Sequence, residues 1–392
     1  LAKNNTSWFC VPRRELTRQM IDTMNDFNIP HSFISAGYEY NKYAPVHLCT
    51  VGSLVGRLGL VTPPKIAFID ECHYGQGALD EIIAWLKSHG SIIIGLSATP
   101  MKMNGRGLGC WFDEMVQGPS IRWLIDNKYL SDYRLFAPDK PDLSMLDIVA
   151  GDYAKGQLAE RMEQDRVLIG NAVKHYKQNA LHKLNVSFCT SRKHAELTAQ
   201  AFRNAGISAQ YIGGDTREDE RKRIIRAFAM HEIESLCSVD LLSFGFDLAS
   251  NAGMDVTVES MSDQAPTMSL PKQLQKWGRP LRKKDYPAII NDHANNNDPH
   301  GYPCDERIWT LADQEKKKRG SSERIIQTST CEKCFFTFRA ALKCPYCGHE
   351  RPIQYREIEE VEGELSEVDI MVQKKEKRME VGMARTMADL IR

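Results

Sequence analysis

Lys65-Ile66-Ala67-Phe68-Ile69-Asp70-Glu71-Cys72-His73 is the stretch whose reading decides the fold. An apolar run of strand length ends abruptly in two adjacent carboxylates. β-Branched and aromatic residues in such a run fit a strand buried on both faces of a parallel sheet. Ligands of open α/β sheets bind beyond the carboxyl ends of the strands, which is where Asp70 and Glu71 would stand. A carboxylate pair there suits a magnesium-bound nucleotide: one side chain helps hold the metal and the next acts on a water. Taken alone, the stretch also fits a strand running into a helix capped by Asp70. The rest of the chain has to separate the two readings.

Working outward, Ser7–Val11 is a short apolar strand candidate. Pro12 follows, and Arg13 and Arg14 open a helix. Backbone amides and arginines at a strand-to-helix turn are placed to hold phosphate, or are a solvated basic helix end. Val46–Thr50 reads as the next strand, with a turn at Gly52-Ser53-Leu54. Beyond the acidic pair, a helix is expected over 80–88 and another buried strand over 92–96, ending in Ser97-Ala98-Thr99-Pro100. Strands alternating with helices indicate a parallel α/β sheet. Residues 101–119 form no clear element, 121–128 is helical, and an extended stretch ends near Pro138. A second alternation then begins. Helices are expected over 165–178, 194–205, 218–231 and 272–281, and strands over 185–189, 209–212, 235–242 and 288–290. Gly206 closes the second of these helices as a C-cap. The chain thus holds two α/β units in tandem.

A length of 392 residues allows two or three domains. The formal net charge is zero, so a nucleic-acid surface has to be local. No run of eighteen or so apolar residues is present, and residues 1–7 are polar, without a signal-peptide core. Of the eleven cysteines, Cys10, Cys49, Cys72, Cys110, Cys189, Cys237 and Cys304 are scattered. Cys331, Cys334, Cys344 and Cys347 form two Cys-x-x-Cys knuckles a short loop apart, a strong signal for one structural zinc. This usage fits a reducing cytoplasm (a host's, if the source is a phage) and not a disulfide framework. Phe335, Phe336 and Phe338, between the knuckles, could stack on bases or form the core of a zinc ribbon. The chain begins at Leu1 and not at methionine, so a fragment with an upstream part is expected.

Several motifs occur in one order: Pro12-Arg13-Arg14-Glu15-Leu16, Thr50-Val51-Gly52-Ser53-Leu54, Asp70-Glu71-Cys72-His73 and Ser97-Ala98-Thr99-Pro100. Ser243-Phe244-Gly245-Phe246-Asp247 and Gln275-Lys276-Trp277-Gly278-Arg279-Pro280-Leu281-Arg282 complete the set. The ordered set, over residues 5–315, resembles a superfamily-two DEAD/DEAH-type helicase of bacterial or phage type. That resemblance implies two RecA-like lobes that sandwich ATP and grip a single strand across their tops. It implies that Asp70 holds Mg2+ through water and that Glu71 orients and deprotonates the attacking water. By the same resemblance His73, Ser97 and Thr99 couple nucleotide state to the grip, with Ser243, Gly245 and Asp247 in the second lobe. Gln275, Arg279 and Arg282 would reach across to the γ-phosphate, where an arginine from the other lobe positions and neutralises. Pro12, Arg13, Arg14, Thr50, Gly52, Ser53, Thr190 and Ser191 would face the nucleic-acid backbone.

Three departures stand out. No Gly-Lys-Ser or Gly-Lys-Thr occurs, so the phosphate loop is missing. Ser243 stands where the family usually has Thr, and Ala265-Pro266-Thr267 where relatives often carry Arg-Pro-Thr. The expected layout is an incomplete first lobe over 1–136, a linker over 137–160 and a second lobe over 161–313. A charged hinge over 314–328, a zinc ribbon over 329–352 and a charged tail over 353–392 follow. The expected function is an ATP-dependent helicase or translocase, on DNA in preference to RNA, using ATP, Mg2+ and a structural Zn2+. The alternatives are a nucleotide-independent nucleic-acid binder on the same scaffold and, with less support, a nuclease.

Overall fold

The computed structural model describes residues 6–12, 14–74, 77–102, 105–137, 147–149, 152–164, 166–239, 248–313, 328–331, 333–334, 336–339 and 343–350. All of these belong to one compact unit, Leu1–Glu350. No helix among them is long and apolar enough to cross a membrane.

The first sheet is built from β1 (Ser7–Val11), β2 (His31–Ile34), β3 (Val46–Thr50), β4 (Ile66–Ile69) and β5 (Ile92–Gly95). Its order is β2-β3-β1-β4-β5, and every pair is parallel. Helices α1 (Arg14–Asp26), α2 (Val51–Val55), α3 (Ala78–Ser88) and α4 (Ile121–Asp126) accompany it. One face buries Trp8, Cys10, Ala67 and Ile69 against Ile82, Ile83 and Leu86 of α3, and Trp8 stacks on Trp85 at 5.7 Å. Cys10, Cys49 and Cys72 act here as small buried hydrophobes.

The strand over 92–96 corrects the sequence reading. It is not buried: Ile92, Ile94 and Leu96 are 52%, 39% and 41% exposed. β5 is the last strand of its sheet, so one row of its backbone groups has no strand partner among the described residues.

The second sheet contains β6 (Tyr133–Phe136), β9 (Asn185–Phe188), β10 (Ala209–Tyr211), β11 (Ser235–Ser238), β12 (Ser260–Asp263) and β13 (Ala288–Asp292); β7 (Ile148–Val149) and β8 (Asp152–Tyr153) form a separate small hairpin. Its order is β10-β11-β9-β12-β13-β6, again all parallel. Helices α5 (Lys155–Gln164), α6 (Arg166–Asn179), α7 (Arg192–Asn204), α8 (Glu218–Ala229), α9 (Leu248–Ala252), α10 (Leu270–Gly278) and α11 (Asn297–His300) belong to this half. Its largest core gathers Val186, Phe188, Ile225, Phe228, Leu236 and Trp277. β6 falls at the end of the first lobe in the sequence reading. In the structure it pairs with β13 as the edge of the second sheet, because the chain has already crossed between the halves by Leu130, which bridges to Arg282.

A small hairpin of β14 (Thr328–Thr330) and β15 (Thr337–Arg339) carries the first cysteine knuckle. It leans on β6: Phe336 bridges to Phe136 and their rings lie 5.7 Å apart. Tyr346 meets both rings, at 5.6 and 5.3 Å. Phe336 therefore closes the edge of the second sheet and takes up the packing role of the two the sequence left open.

Candidate functional site

β4 ends where the chain turns sharply. The Asp70 amide still donates to Cys10 O at 2.9 Å, continuing the ladder for one residue. Glu71 then adopts φ 47°, a left-handed conformation uncommon for a residue with a Cβ. The Asp70 carboxylate steadies this turn by accepting from the Glu71 amide at 3.0 Å. A strained backbone at the tip of a strand is typical of a functional position.

Four side chains from both halves meet beyond this tip. His73 Nδ1 lies 2.8 Å from Ser97 Oγ and 3.3 Å from Glu71 Oε2. Gln275 of α10 brings its amide nitrogen to 3.3 Å from Glu71 Oε2 and 3.2 Å from His73 Nε2. An amide nitrogen only donates, so His73 Nε2 is the acceptor and its proton sits on Nδ1, facing Ser97. Ser97 Oγ also accepts from the Thr99 amide at 3.0 Å. Burial pushes the His73 pKa down to about 4. The ring is therefore neutral near pH 7, and its 3.3 Å approach to Glu71 is not an ion pair.

Electrostatics sets Glu71 apart. Burial first, then the neighbouring Asp70 charge, raises its pKa to about 7, against the lowering influence of Arg279. Burial also raises Asp70, while the hydrogen bond from the Glu71 amide opposes the shift. A carboxyl group poised near neutrality is suited to accepting a proton at physiological pH.

Glu71, Ser97, Gln275, Arg279 and Arg282 line one cavity of about 1520 Å³ between the two halves. The sequence predicts a helix over 272–281 that carries Gln275 and Arg279 and ends next to Arg282. The structure ends α10 at Gly278, with Arg279 as its C-cap. Pro280 has no amide to continue the ladder and restricts the residue before it, so Arg282 reaches the cavity from the following loop.

The residues expected to face nucleic acid are spread along the strand ends. Gly52 is exposed; Pro12 and Ser53 are half-buried. Ser53 Oγ accepts from the Ala36 amide at 3.1 Å. Thr50 is buried and gives its hydroxyl to Ser35 at 3.2 Å. Arg14 begins α1. In the second half, Thr190 Oγ1 contacts His194 Nδ1 at 3.0 Å, and Ser191 caps α7 by accepting from the His194 amide. Arg13, Ser243, Gly245 and Asp247 lie outside the described residues.

At the ribbon, the sulfurs of Cys331, Cys334, Cys344 and Cys347 all lie within 4.8 Å of one another. Four thiolates so gathered match the donor set and closed shell of structural zinc.

A segment the motifs do not mark also reaches this cleft. Arg307 ties residues 300–307 into a rigid turn by donating to the carbonyls of His300, Tyr302, Pro303 and Asp305. Trp309 then packs on the core of the second half, and Leu311, two residues later, on that of the first. Gly109 N donates to Leu311 O at 2.7 Å and Gly107 N to Asp313 Oδ1 at 3.0 Å. A Cβ at Gly107 would run into the carbonyls of Leu311 and Ala312. The glycines thus form a groove for a strap joining the halves, and the apolar residues Trp309 and Leu311, two apart, are the signal that could have revealed it.

Two parallel α/β sheets, with Glu71 of one facing Gln275, Arg279 and Arg282 of the other across a cavity, define a two-lobed RecA-like protein. Comparison with known proteins agrees: residues 169–283 match the helicase conserved C-terminal domain. A protein of Lactococcus phage (isolate 7-9), described as a 51.5 kDa protein, is 30% identical over 393 residues, covering 96% of this chain and 82% of that one. The putative ATP-dependent helicase IRC3 of Saccharomyces cerevisiae is 26% identical over 307 residues, 74% of this chain and 43% of its own length. Among solved structures, S. cerevisiae Dbp5 bound to RNA and ADP BeF3 aligns at 16% identity and TM-score 0.48, over 74% of this chain and 72% of that one. The chain belongs to one family with the phage protein, and its residues 169–283 belong to the helicase C-terminal domain family.

Proposed function

We propose that this chain works as an ATP-dependent DNA helicase or translocase whose hydrolytic site is the cleft between the lobes. The observation carrying this reading is the meeting of Gln275 with Glu71 and His73 at 3.2–3.3 Å, beside a cavity that also receives Arg279 and Arg282. Magnesium and ATP, when bound, supply the electrophilic phosphorus and neutralise its charge. Around them, Asp70 would hold the metal, and Glu71 would orient the attacking water and take its proton. Gln275, Arg279 and Arg282 neutralise charge that grows on the transferring phosphate. His73, neutral and fixed between Ser97 and Gln275, reports closure to the strand ends that grip nucleic acid. Pro12, Arg13, Arg14, Thr50, Gly52, Ser53, Thr190 and Ser191 form that grip. Ser97 and Thr99 relay from the first lobe, and Ser243, Gly245 and Asp247 from the second. The cysteine cluster holds one structural zinc, and the appended ribbon favours DNA over RNA.

Residues 1–392 contain no Gly-Lys-Ser or Gly-Lys-Thr to cradle the β- and γ-phosphates. The open side of β5, whose end leads into Ser97, is where a further strand carrying such a loop would pair and cover Ile92 and Ile94. The experiment measures strand-stimulated phosphate release from the 392-residue chain and from a form extended by a phosphate-loop strand. Turnover only in the extended form, abolished by Glu71→Gln, is expected. Strand binding without turnover in either form favours the alternative of a nucleotide-independent binder. Robust Glu71-dependent turnover by the 392-residue chain would overturn the assigned role of β5.

A further inference from the structure

Gln275 and Lys276 are neighbours on α10 but point opposite ways. Gln275 leaves its lobe to reach Glu71 and His73. Lys276 turns inward and is fully buried. Its ammonium donates to both carboxylate oxygens of Asp263, each at 2.7 Å, and to Ala265 O at 2.8 Å. Asp263 ends β12 and is held in turn: Gln273 Nε2 and Asn296 Nδ2 donate to Oδ2 at 2.9 and 3.0 Å, and the Ala265 amide to Oδ1 at 3.2 Å. Asn296 Nδ2 also reaches Ala265 O at 3.1 Å.

We infer that Lys276 is a positioning residue: its bond to Asp263 fixes the roll of α10 and so aims Gln275 and Arg279 at the first lobe. This deepens the reading of the cleft as a nucleotide-hydrolysing site and rests on it for its catalytic consequence. Apolar packing of Leu274 and Trp277 holds the helix to the core, but such packing is not directional. A buried ion pair is directional, and it contributes little stability beyond an apolar replacement of the same shape. Successive helical residues diverge by about 100°, whereas residues four apart share a face; an anchored Lys276 thus leaves Gln275 and Arg279 facing the cleft together. Side chains reach about 6 Å from a helix axis, so a roll of about 20° moves the Gln275 amide by about 2 Å. That displacement is enough to break its hydrogen bonds to Glu71 and His73.

The test compares Lys276→Met, which strands Asp263 without its cation, with the double variant Lys276→Met/Asp263→Asn, which removes both charges. Phe228→Leu, a core change in the same lobe, serves as the control for stability alone. The first readout is the titration of His73 in the 392-residue chain, followed by NMR of carbon-13-labelled histidine and assigned with His73→Asn. Its ring is faced by Glu71, Ser97 and Gln275. The double variant should recover most of the melting temperature lost in Lys276→Met. The His73 midpoint should nonetheless rise from about 4 towards the ordinary 6.5 in both, because water replaces Gln275, and stay low in Phe228→Leu. The second readout is strand-stimulated turnover in a form carrying a phosphate loop. There kcat should fall at least about tenfold in both Lys276 variants with KM kept, as expected for displaced groups. If the double variant regains stability, a low His73 midpoint and turnover together, the pair is merely structural and the inference falls. If the unsubstituted protein shows no turnover at all, the nucleotide reading fails, and the His73 titration alone decides whether Lys276 positions α10.

Discussion

Glu71→Gln should stabilise the protein, and more so at pH 8 than at pH 5. In the native chain burial and Asp70 raise the Glu71 pKa from 4.5 to about 7. Between those values the unfolded chain has released its proton while the folded chain still holds it. The contribution of the protonated group is therefore full below pH 4.5, shrinks as pH rises and is gone once pH passes about 7. From pH 5 to 7 the difference spans about two units at 1.36 kcal/mol each. Partial solvent exposure of the side chain reduces this, leaving about 2 kcal/mol. Glutamine keeps the shape and has no charge to desolvate, so the variant escapes the loss. The assay is urea unfolding of both proteins at pH 5 and pH 8, followed by the signal of the first lobe. Equal stability differences at the two pH values would refute the argument, because they would mean that Glu71 ionises in the folded chain as it does in water.

Three further outcomes are expected. In a form carrying a phosphate loop, turnover should rise with pH to a plateau with a midpoint near 7, where Glu71 loses its proton; Arg279→Ala should move that midpoint upward and reduce the plateau by about a thousandfold, and a flat profile from pH 6 to 8 argues against Glu71 as the base. Purified, reduced protein should carry about one zinc per chain, and Cys344→Ser should release it and undock the ribbon from Phe136 while both lobes stay folded; metal analysis that finds none removes the zinc proposal. Gly107→Ala should cost about 1–3 kcal/mol by overpacking and open residues 302–313 to protease, whereas Gly118→Ala, with open space for its Cβ, should do neither.

What the sequence revealed depended on how strongly each element declares itself locally. β1, β3 and β4 are apolar runs punctuated by turn residues, and they stand where their pattern puts them. β2 and β12 were not legible. The residues Ser260–Asp263 read Ser-Met-Ser-Asp, with no apolar alternation, and they form a central strand because Asn185 accepts from Ser260 at 3.0 Å and donates to Ser235 at 2.9 Å. The cross-strand partners of that buried polar ladder lie 50 and 75 residues away, beyond the reach of local periodicity. The exposure of β5 was likewise hidden, since an apolar run does not show whether its neighbouring strand exists. The Pro280 that stops α10 was visible, and the motif's regular spacing masked it. The two Cys-x-x-Cys knuckles were legible because four thiols at that spacing have few other uses.

The cleft divides its requirements between lobes so that neither half carries an assembled site. The first lobe supplies a strained turn and a carboxyl group held near neutrality by burial, both of which oppose its stability. The second supplies an amide and guanidinium groups on or just after a helix that is locked from behind by Asp263. Gln275 joins these two sets through hydrogen bonds to Glu71 and His73, and each is long enough, at 3.2–3.3 Å, to be weak. Weak links suit a joint that has to open and close, whereas the bonds that aim them, at 2.7 Å from Lys276 to Asp263, are short and buried. On the proposed nucleotide reading, rigid aiming behind a weak contact lets closure depend on what fills the cavity, because a bound phosphate adds charge that Arg279 and Arg282 would meet only with the lobes together. The strap from Trp309 to Leu311 bounds how far the lobes part between such closures, since two residues of chain cannot bridge a wide gap.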